Sequence, residues 1–271
     1  MPNPSVISSS STVVLFAATR WELAAIRRAM PVERRIAIDG VSCFTGRHAG
    51  RAYWLVPTGL GPEAADAAAS AVLNRHRAAL AISAGFAGAL MPAAAIGDVI
   101  VATSVVSGRL DEVWSQAGTP IVCAETVLPA VQAAATEIGM VVRNGPVVSL
   151  PTVVCRAVEK QYLSRLTGAI ALDMESAAIG QVAHSRGVPF AVVRTVSDVA
   201  GEDLPLDFNA FLKPWGWMRG IGAMVMTPSS LSGLNRLRRQ SRLAAARLTA
   251  LCAACAANGF GLSPISHTER A

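Results

Sequence analysis

Leu172-Asp-Met-Glu-Ser-Ala-Ala-Ile179 and, a short way on, Val188-Pro-Phe-Ala-Val-Val-Arg-Thr-Val-Ser-Asp-Val-Ala200 are the stretches whose reading decides the fold. The first closes a short apolar strand, Ala169–Asp173, that enters a helix over Glu175–Arg186. The second is a strongly apolar strand, Pro189–Val196, ending at Ser197-Asp198. Strands that are apolar on both faces and separated by a helix belong to a sheet covered on both sides. Ligands of such sheets bind beyond the carboxyl ends of the strands, where Glu175 and Asp198 stand. Each has a plainer reading, Glu175 as a residue suited to the helix dipole and Asp198 as the cap of a following helix. Two carboxylates at two strand ends together make a candidate site.

The same alternation runs outward from there. Val13–Ala17 is a short apolar run, and Glu22–Met30 has helical spacing. Val41–Arg47 and Arg51–Pro57 read as strands joined by a hairpin at His48-Ala-Gly50. Thr58–Pro62 is a loop opening an Ala-rich helix from Glu63 to about Arg77, and Ala79–Ala84 is a buried strand running into Gly85-Phe-Ala-Gly88. Gly97-Asp98 turns into the strand Val99–Val106. Val147–Ser149 is a further strand and Glu159–Thr167 a helix. The expected fold is a three-layer α/β/α domain around a central mixed, mostly parallel sheet, with an amphipathic helix at the C-terminal end.

Composition narrows the class. Of 271 residues, 52% are hydrophobic and 15% charged, which excludes a disordered chain and leaves apolar surface for a sizeable core. The longest apolar runs, Ala78–Leu90 and Ile96–Val106, fall short of the ~20 residues that span a bilayer. Residues 1–12 lack the basic region of a signal peptide and read as a disordered leader. Five scattered cysteines suit reduced thiols in a cytoplasmic protein, and Cys252-x-x-Cys255, with no second pair, reads as buried helix residues rather than a metal or redox site. No metal site is expected. The net charge of +6 comes largely from the tail, where five arginines and no acid lie between Leu231 and Asn258. Without interleaved aromatics, that stretch does not read as a nucleic-acid binder.

Asp173-Met-Glu-Ser176 followed by Pro189-Phe-x-x-x-Arg194-x-x-Ser197-Asp198 closely resembles the nucleoside phosphorylase and nucleosidase superfamily that includes the methylthioadenosine/S-adenosylhomocysteine nucleosidases. Ala18–Glu22, Gly59-Leu-Gly61, Ser83–Gly88 and Gly97-Asp98 fall in the matching order, so the resemblance covers roughly Val13 to Leu212. It implies a catalytic domain over residues 13–227, a helical tail over 228–271, and cleavage of a purine nucleoside at its anomeric carbon. Asp198 would protonate N7 of the base, with burial keeping its proton near neutral pH. Glu175 would accept hydrogen bonds from the ribose hydroxyls, Met174 would lie along the ribose, and Glu22 would orient the attacking water. Ser197 and Phe86-Ala87-Gly88 complete the substrate site. Arg194, with Arg20 as second candidate, would hold water or phosphate. No cofactor is implied, phosphate being the one candidate co-substrate, and kinship implies a homo-oligomer.

Two departures stand out. Phe86 occupies the place of a serine that helps bind the nucleophile in the nucleosidases, and Val153 the place of an aromatic that stacks on adenine. Asp98 reads as structural. Glu159-Lys160, Thr167-Gly-Ala169, Asp203-Leu-Pro205 and Pro228 before a Leu-rich helix resemble the hopanoid-associated phosphorylases, which implies adenosylhopane as substrate. On a helical wheel, Leu234, Leu237, Ala244, Leu248, Leu251 and Cys255 share one face and the arginines the other. Such a helix suits either an anionic membrane surface, with Trp215 and Trp217 as anchors, or packing on the body or a second subunit. The rivals are a small-molecule nucleosidase for methylthioadenosine or S-adenosylhomocysteine, and a catalytically silent nucleoside-binding protein.

Overall fold

Val13–Ala17 (β1) is buried at every position, and its side chains divide between two cores. Val14 and Phe16 join one, and Val13, Leu15 and Ala17 the other, because alternate residues of a strand face opposite sides of its sheet. A computed structural model describes residues 12–111, 114–205, 209 and 228–262; the expected leader up to residue 11 and the tryptophans Trp215 and Trp217 lie outside them. From β1 the chain continues through α1 (Arg20–Ala29), β2 (Arg34–Ile38), β3 (Val41–His48), β4 (Arg51–Pro57), α2 (Pro62–Arg75) and β5 (Leu80–Ala89). It goes on through β6 (Val99–Leu110), β7 (Trp114–Val122), α3 (Val127–Glu137), β8 (Val142–Ser149) and α4 (Ala157–Thr167). It ends with β9 (Ala171–Asp173), α5 (Ser176–Ser185), β10 (Phe190–Asp198) and the long helix α6 (Pro228–Ala257).

The sheet is the middle of three layers. Ala65, Ala68 and Val72 of α2 and Ile179, Val182 and Ala183 of α5 cover one face. Ala25 and Ile26 of α1, Val131 and Ala135 of α3, and Leu248, Leu251 and Cys255 of α6 cover the other. Alanine on the inner faces lets the helices sit close to the strands. The tail helix therefore packs on the body along its second half. Its inner positions Ala244, Leu248, Leu251, Cys252 and Cys255 are at most 1% exposed, and none of the five cysteines is joined in a disulfide. Among the described residues no helix is long and apolar enough to cross a membrane.

Pairing is mixed. The parallel pairs β1–β4, β1–β5 and β5–β10 form the heart of the sheet, and β6–β8 and β8–β9 are also parallel. The hairpin of β3 and β4 extends one edge through Ala49 and Gly50, both with positive φ as a two-residue hairpin turn requires. At the other side the strands close on themselves. β5 pairs with β9, β9 with β8, β8 with β6, β6 with β10, and β10 with β5 again. This five-strand ring decides where the site forms. Register across it sets Gly85 beside Arg194 and Gly88 beside Asp198, with an irregularity between Val196 and Asp198 that re-aims the end of β10.

Candidate active site

Glu22, Arg194 and Glu175 gather in one group and Asp198 and Ser197 in another, at the ends of strands of the ring, and each is placed by a local feature. Thr19 caps α1. Its side chain accepts from the Glu22 backbone N–H at 3.2 Å, while its own N–H and Oγ1 donate to Glu22 Oε2 at 2.7 and 2.8 Å. Glu22, 3% exposed, also accepts from the Phe86 backbone N–H at 2.7 Å through Oε1. The resemblance gives Glu22 to the nucleophile; locally it is also the acid of a capping box, so its position is fixed before any ligand arrives.

Arg194 lies next to it, 1% exposed. Its Nη2 donates to Ser83 Oγ at 2.7 Å and Ser176 Oγ at 3.0 Å and pairs with Asp173 at 2.8 Å, while Nη1 stands 3.7 Å from Glu22 Oε1. Burial opposes a charge on this guanidinium, but the carboxylates of Asp173, Glu22 and Glu175 outweigh it and push its pKa up. Asp173, Ser83 and Ser176 thus belong to the site, though sequence reasoning did not single them out. Their signal was only their membership of the two quoted motifs. Among the described residues the buried Nε of Arg194 has no hydrogen-bond partner, while Nη1 faces Glu22.

Glu175 is the residue before α5, 5% exposed, and its Oε1 accepts from the Gly61 N–H at 2.9 Å. Gly61 opens α2 with φ +89°, a conformation that favours glycine. Burial pushes the Glu175 carboxyl up to about 7, against the lowering pull of Arg194 and the Gly61 N–H, and Asp173 and Glu22 add to the push.

Asp198 ends β10 in a different setting. Its Oδ1 is 2.5 Å from Nζ of the fully buried Lys160, and its Oδ2 accepts from Ser197 Oγ at 3.0 Å. Ser197 Oγ also lies 3.3 Å from the Ala87 carbonyl, and a Cβ on Gly88 would come 2.9 Å from Asp198 Oδ1. The sequence reading expects burial to hold a proton on Asp198. Asp198, its side chain 15% exposed, has a buried cation beside it, because α4 points a lysine inward at this strand end. In the sequence that lysine stands only in the Glu159-Lys160 landmark, with no role at the site given to it.

The remaining candidates are placed as follows. Met174 sits half-buried between Asp173 and Glu175. Val153 has its N–H and C=O both held by the Asn209 carboxamide, each at 2.8 Å. Arg20 is exposed on the first turn of α1, and no described contact joins it to the cluster. Asp98 accepts from the Ala95 N–H at 3.1 Å and pairs with Arg143 at 3.2 Å. Phe86 lines an apolar cavity of about 420 Å³ with Thr19, Trp21 and, from α6, Leu234, Leu237 and Arg242.

Close approach of backbone and side chain gives one test of this geometry. A Cβ on Gly85 would fall inside contact distance of Glu22 Oε1 and 2.5 Å from Arg194 Nη1. Gly85→Ala is expected to cost about 1–3 kcal/mol of stability, as overpacking does. Urea unfolding would check it, and an unchanged midpoint would mean that Glu22 and Arg194 are not held as described.

Comparison with known proteins agrees with this arrangement. The model of the family described as the phosphorylase superfamily matches residues 12–214. The 5′-methylthioadenosine/S-adenosylhomocysteine nucleosidase of Shewanella sp. (strain W3-18-1) is 28% identical over 215 residues, covering 76% of this chain and 93% of that protein. The nucleosidase of the same name from Neisseria meningitidis, solved with methylthio-immucillin-A, superposes with a TM-score of 0.72 at 21% identity, over 92% of this chain and 99% of that one. Futalosine hydrolase of Helicobacter pylori gives a TM-score of 0.68 at 18% identity, over 89% and 97%. The family's model takes in every strand of the sheet and each residue of the carboxylate cluster, and this chain belongs to the phosphorylase superfamily.

Proposed function

We propose that this chain hydrolyses the N-glycosidic bond of a purine nucleoside and releases adenine. The observation that carries the reading is that β9 and β10 flank β5, so that Gly88 pairs with Asp198 on one side and with Leu172, three residues before Glu175, on the other. Asp198 gives a proton to N7, so the base departs neutral. Glu175 accepts from the ribose hydroxyls, and its charge offsets the cationic sugar that forms as the bond breaks. Met174 lies along the ribose, while Ser197, Ala87, Gly88 and Val153 border the base. Glu22 and Arg194 orient the nucleophile. The step needs no cofactor.

The groups around the nucleophile favour water over phosphate. Glu22 and Asp173 already pair with Arg194, so no uncompensated cation is left there for a phosphate dianion. Arg194 has its Nη2 committed, Arg20 stands apart, and Phe86 brings no hydroxyl.

For the 5′ substituent, the finer reading is adenosylhopane. It is supported by the motifs around Lys160 and Asp203, and by the apolar cavity in which Trp21 and Phe86 face Leu234 and Leu237. Such a substrate is met at a membrane surface, and the exposed arginines Arg236, Arg238, Arg239 and Arg242 give α6 a face suited to anionic lipid. A second reading, a nucleosidase for methylthioadenosine or S-adenosylhomocysteine, is favoured by the curated relatives. Adenine release from adenosylhopane and from methylthioadenosine, each with and without phosphate, separates them. Release from adenosylhopane without phosphate is expected. Release from methylthioadenosine alone would sink the finer reading, and a strict phosphate requirement would sink hydrolysis.

A further inference from the structure

Lys160 is among the largest fully buried side chains of the protein, with 0% exposure in the middle of α4. Its Nζ has three acceptors: Asp198 Oδ1 at 2.5 Å, the Val199 carbonyl at 3.0 Å and the Glu202 carbonyl at 3.4 Å. An ammonium has three N–H groups and a neutral amine two, so this geometry describes the charged form. Withdrawing an ammonium from water is costly. The next buried position of the same helix face, Leu163, is apolar, so α4 does not need a charge in order to pack. The cation is kept at a cost, and it points at one oxygen of the group assigned to the departing base.

We propose that Lys160 is a positioning residue for leaving-group departure, acting through Asp198. The proposal rests on the nucleosidase reading given above. As the C1′–N9 bond breaks, its electron pair passes to the purine and the Asp198 proton moves to N7. Asp198 is left as a carboxylate, whose new charge faces the Lys160 ammonium across 2.5 Å; Lys160 itself neither gains nor loses a proton. Water adds to C1′ and loses a proton to solvent, and Asp198, its side chain 15% exposed, takes its next proton from there. The two oxygens have separate partners: Lys160 holds Oδ1, and Oδ2 accepts from Ser197, which leaves Oδ2 as the oxygen away from the ammonium for the transferred proton. The neighbouring charges are already engaged. Glu202 pairs with Arg236 at 3.5 Å and accepts from Gln240 at 3.2 Å, and Asp173 pairs with Arg194.

The test is the ratio of wild-type to Lys160→Met kcat across purine ribosides whose bases are progressively better leaving groups. With adenine the variant is expected to lose about 10–100-fold in kcat with KM changed by less than about 3-fold, the pattern of an interaction made only in the transition state. With 2,6-dichloropurine, which departs with little need of a proton, the loss is expected to shrink to within about 3-fold. A merely structural lysine would slow every substrate by the same factor, and that constant ratio would overturn the proposal, as would an unchanged kcat. Should Lys160→Met not fold, Lys160→Arg carries the same series. Keeping the charge, it is expected to show one ratio for all bases, and a loss confined to adenine would overturn the proposal. A wild-type protein inactive on every nucleoside would overturn the nucleosidase reading instead; an active one indifferent to Lys160 overturns this inference alone.

Discussion

Asp198→Asn is expected to lower kcat by about 1,000-fold, within the range that a positioned general acid contributes. The substitution is isosteric. An asparagine Oδ1 can still accept from Lys160 Nζ and its amide can still donate toward N7, but it has no proton to surrender. Binding should survive better than turnover, so KM is expected to stay within about 5-fold while kcat collapses. Stability will also fall wherever Asp198 would stand as the carboxylate left after proton transfer, because the Lys160 ammonium then lacks its counter-charge and keeps only neutral acceptors. Removing one partner of a buried pair costs about 3–5 kcal/mol, and the lower end applies here because Asp198 is partly open to water. The two effects are separable when kcat and thermal unfolding are measured on the same preparation. Near-normal kcat in a folded Asp198→Asn protein would remove Asp198 as the acid, and with it the main support for the proposed reaction.

Glu175→Gln should produce opposite signs in stability and activity. Burial raises the Glu175 carboxyl to about 7 in the folded protein, above its ordinary value. A carboxyl raised on folding favours the folded state fully at low pH, and that contribution is lost as pH rises from the ordinary value through about 7. At pH 8 the ionised side chain therefore costs on the order of 3 kcal/mol. Glutamine keeps an acceptor for the Gly61 N–H and carries no charge, so the variant should gain about that much at pH 8 and almost nothing at pH 4. Activity needs the carboxylate. Wild-type kcat should rise with pH through about 7, and the variant should lose about 100–1,000-fold, as losing one preorganised group that stabilises transition-state charge does. Urea unfolding of both proteins at pH 4 and pH 8 checks the first half, and a pH series of kcat the second. Parallel stability profiles would show that Glu175 is not desolvated as described.

Much of this arrangement was legible in the amino-acid sequence, for reasons that explain the gaps. Strands buried on both faces, such as β1 and β10, announce themselves as unbroken apolar runs, and their ends locate Asp198 and Glu175. The edge strand β2 does not, because Arg34, Arg35 and Ala37 face solvent and leave little apolar signal. β7 lies at another margin, with Ser115, Gln116 and Thr119 exposed. α3 begins at Thr126 without a side-chain cap hydrogen bond, so no local mark announces it. Thr19-x-x-Glu22 carries a capping-box pattern that is easily passed over once Glu22 is given to the nucleophile. Lys160 was the least legible. A lysine in a helix is ordinarily solvated, and only the tertiary fold brings α4 against the end of β10.

The closed ring of β5, β9, β8, β6 and β10 has a consequence for how this protein can change over evolutionary time. A strand at an open edge can gain or lose a residue and let the slippage run out into solvent. In a closed circuit the slip passes from neighbour to neighbour until it returns to its origin, and a shift of one residue also turns every side chain to the opposite face. Insertions and deletions inside the circuit therefore survive only where the strand absorbs them on the spot, as the irregularity between Val196 and Asp198 does, a condition that substitutions do not face. Diversity in what the enzyme accepts has to come from outside the circuit, through segments such as α6 whose length the ring does not count.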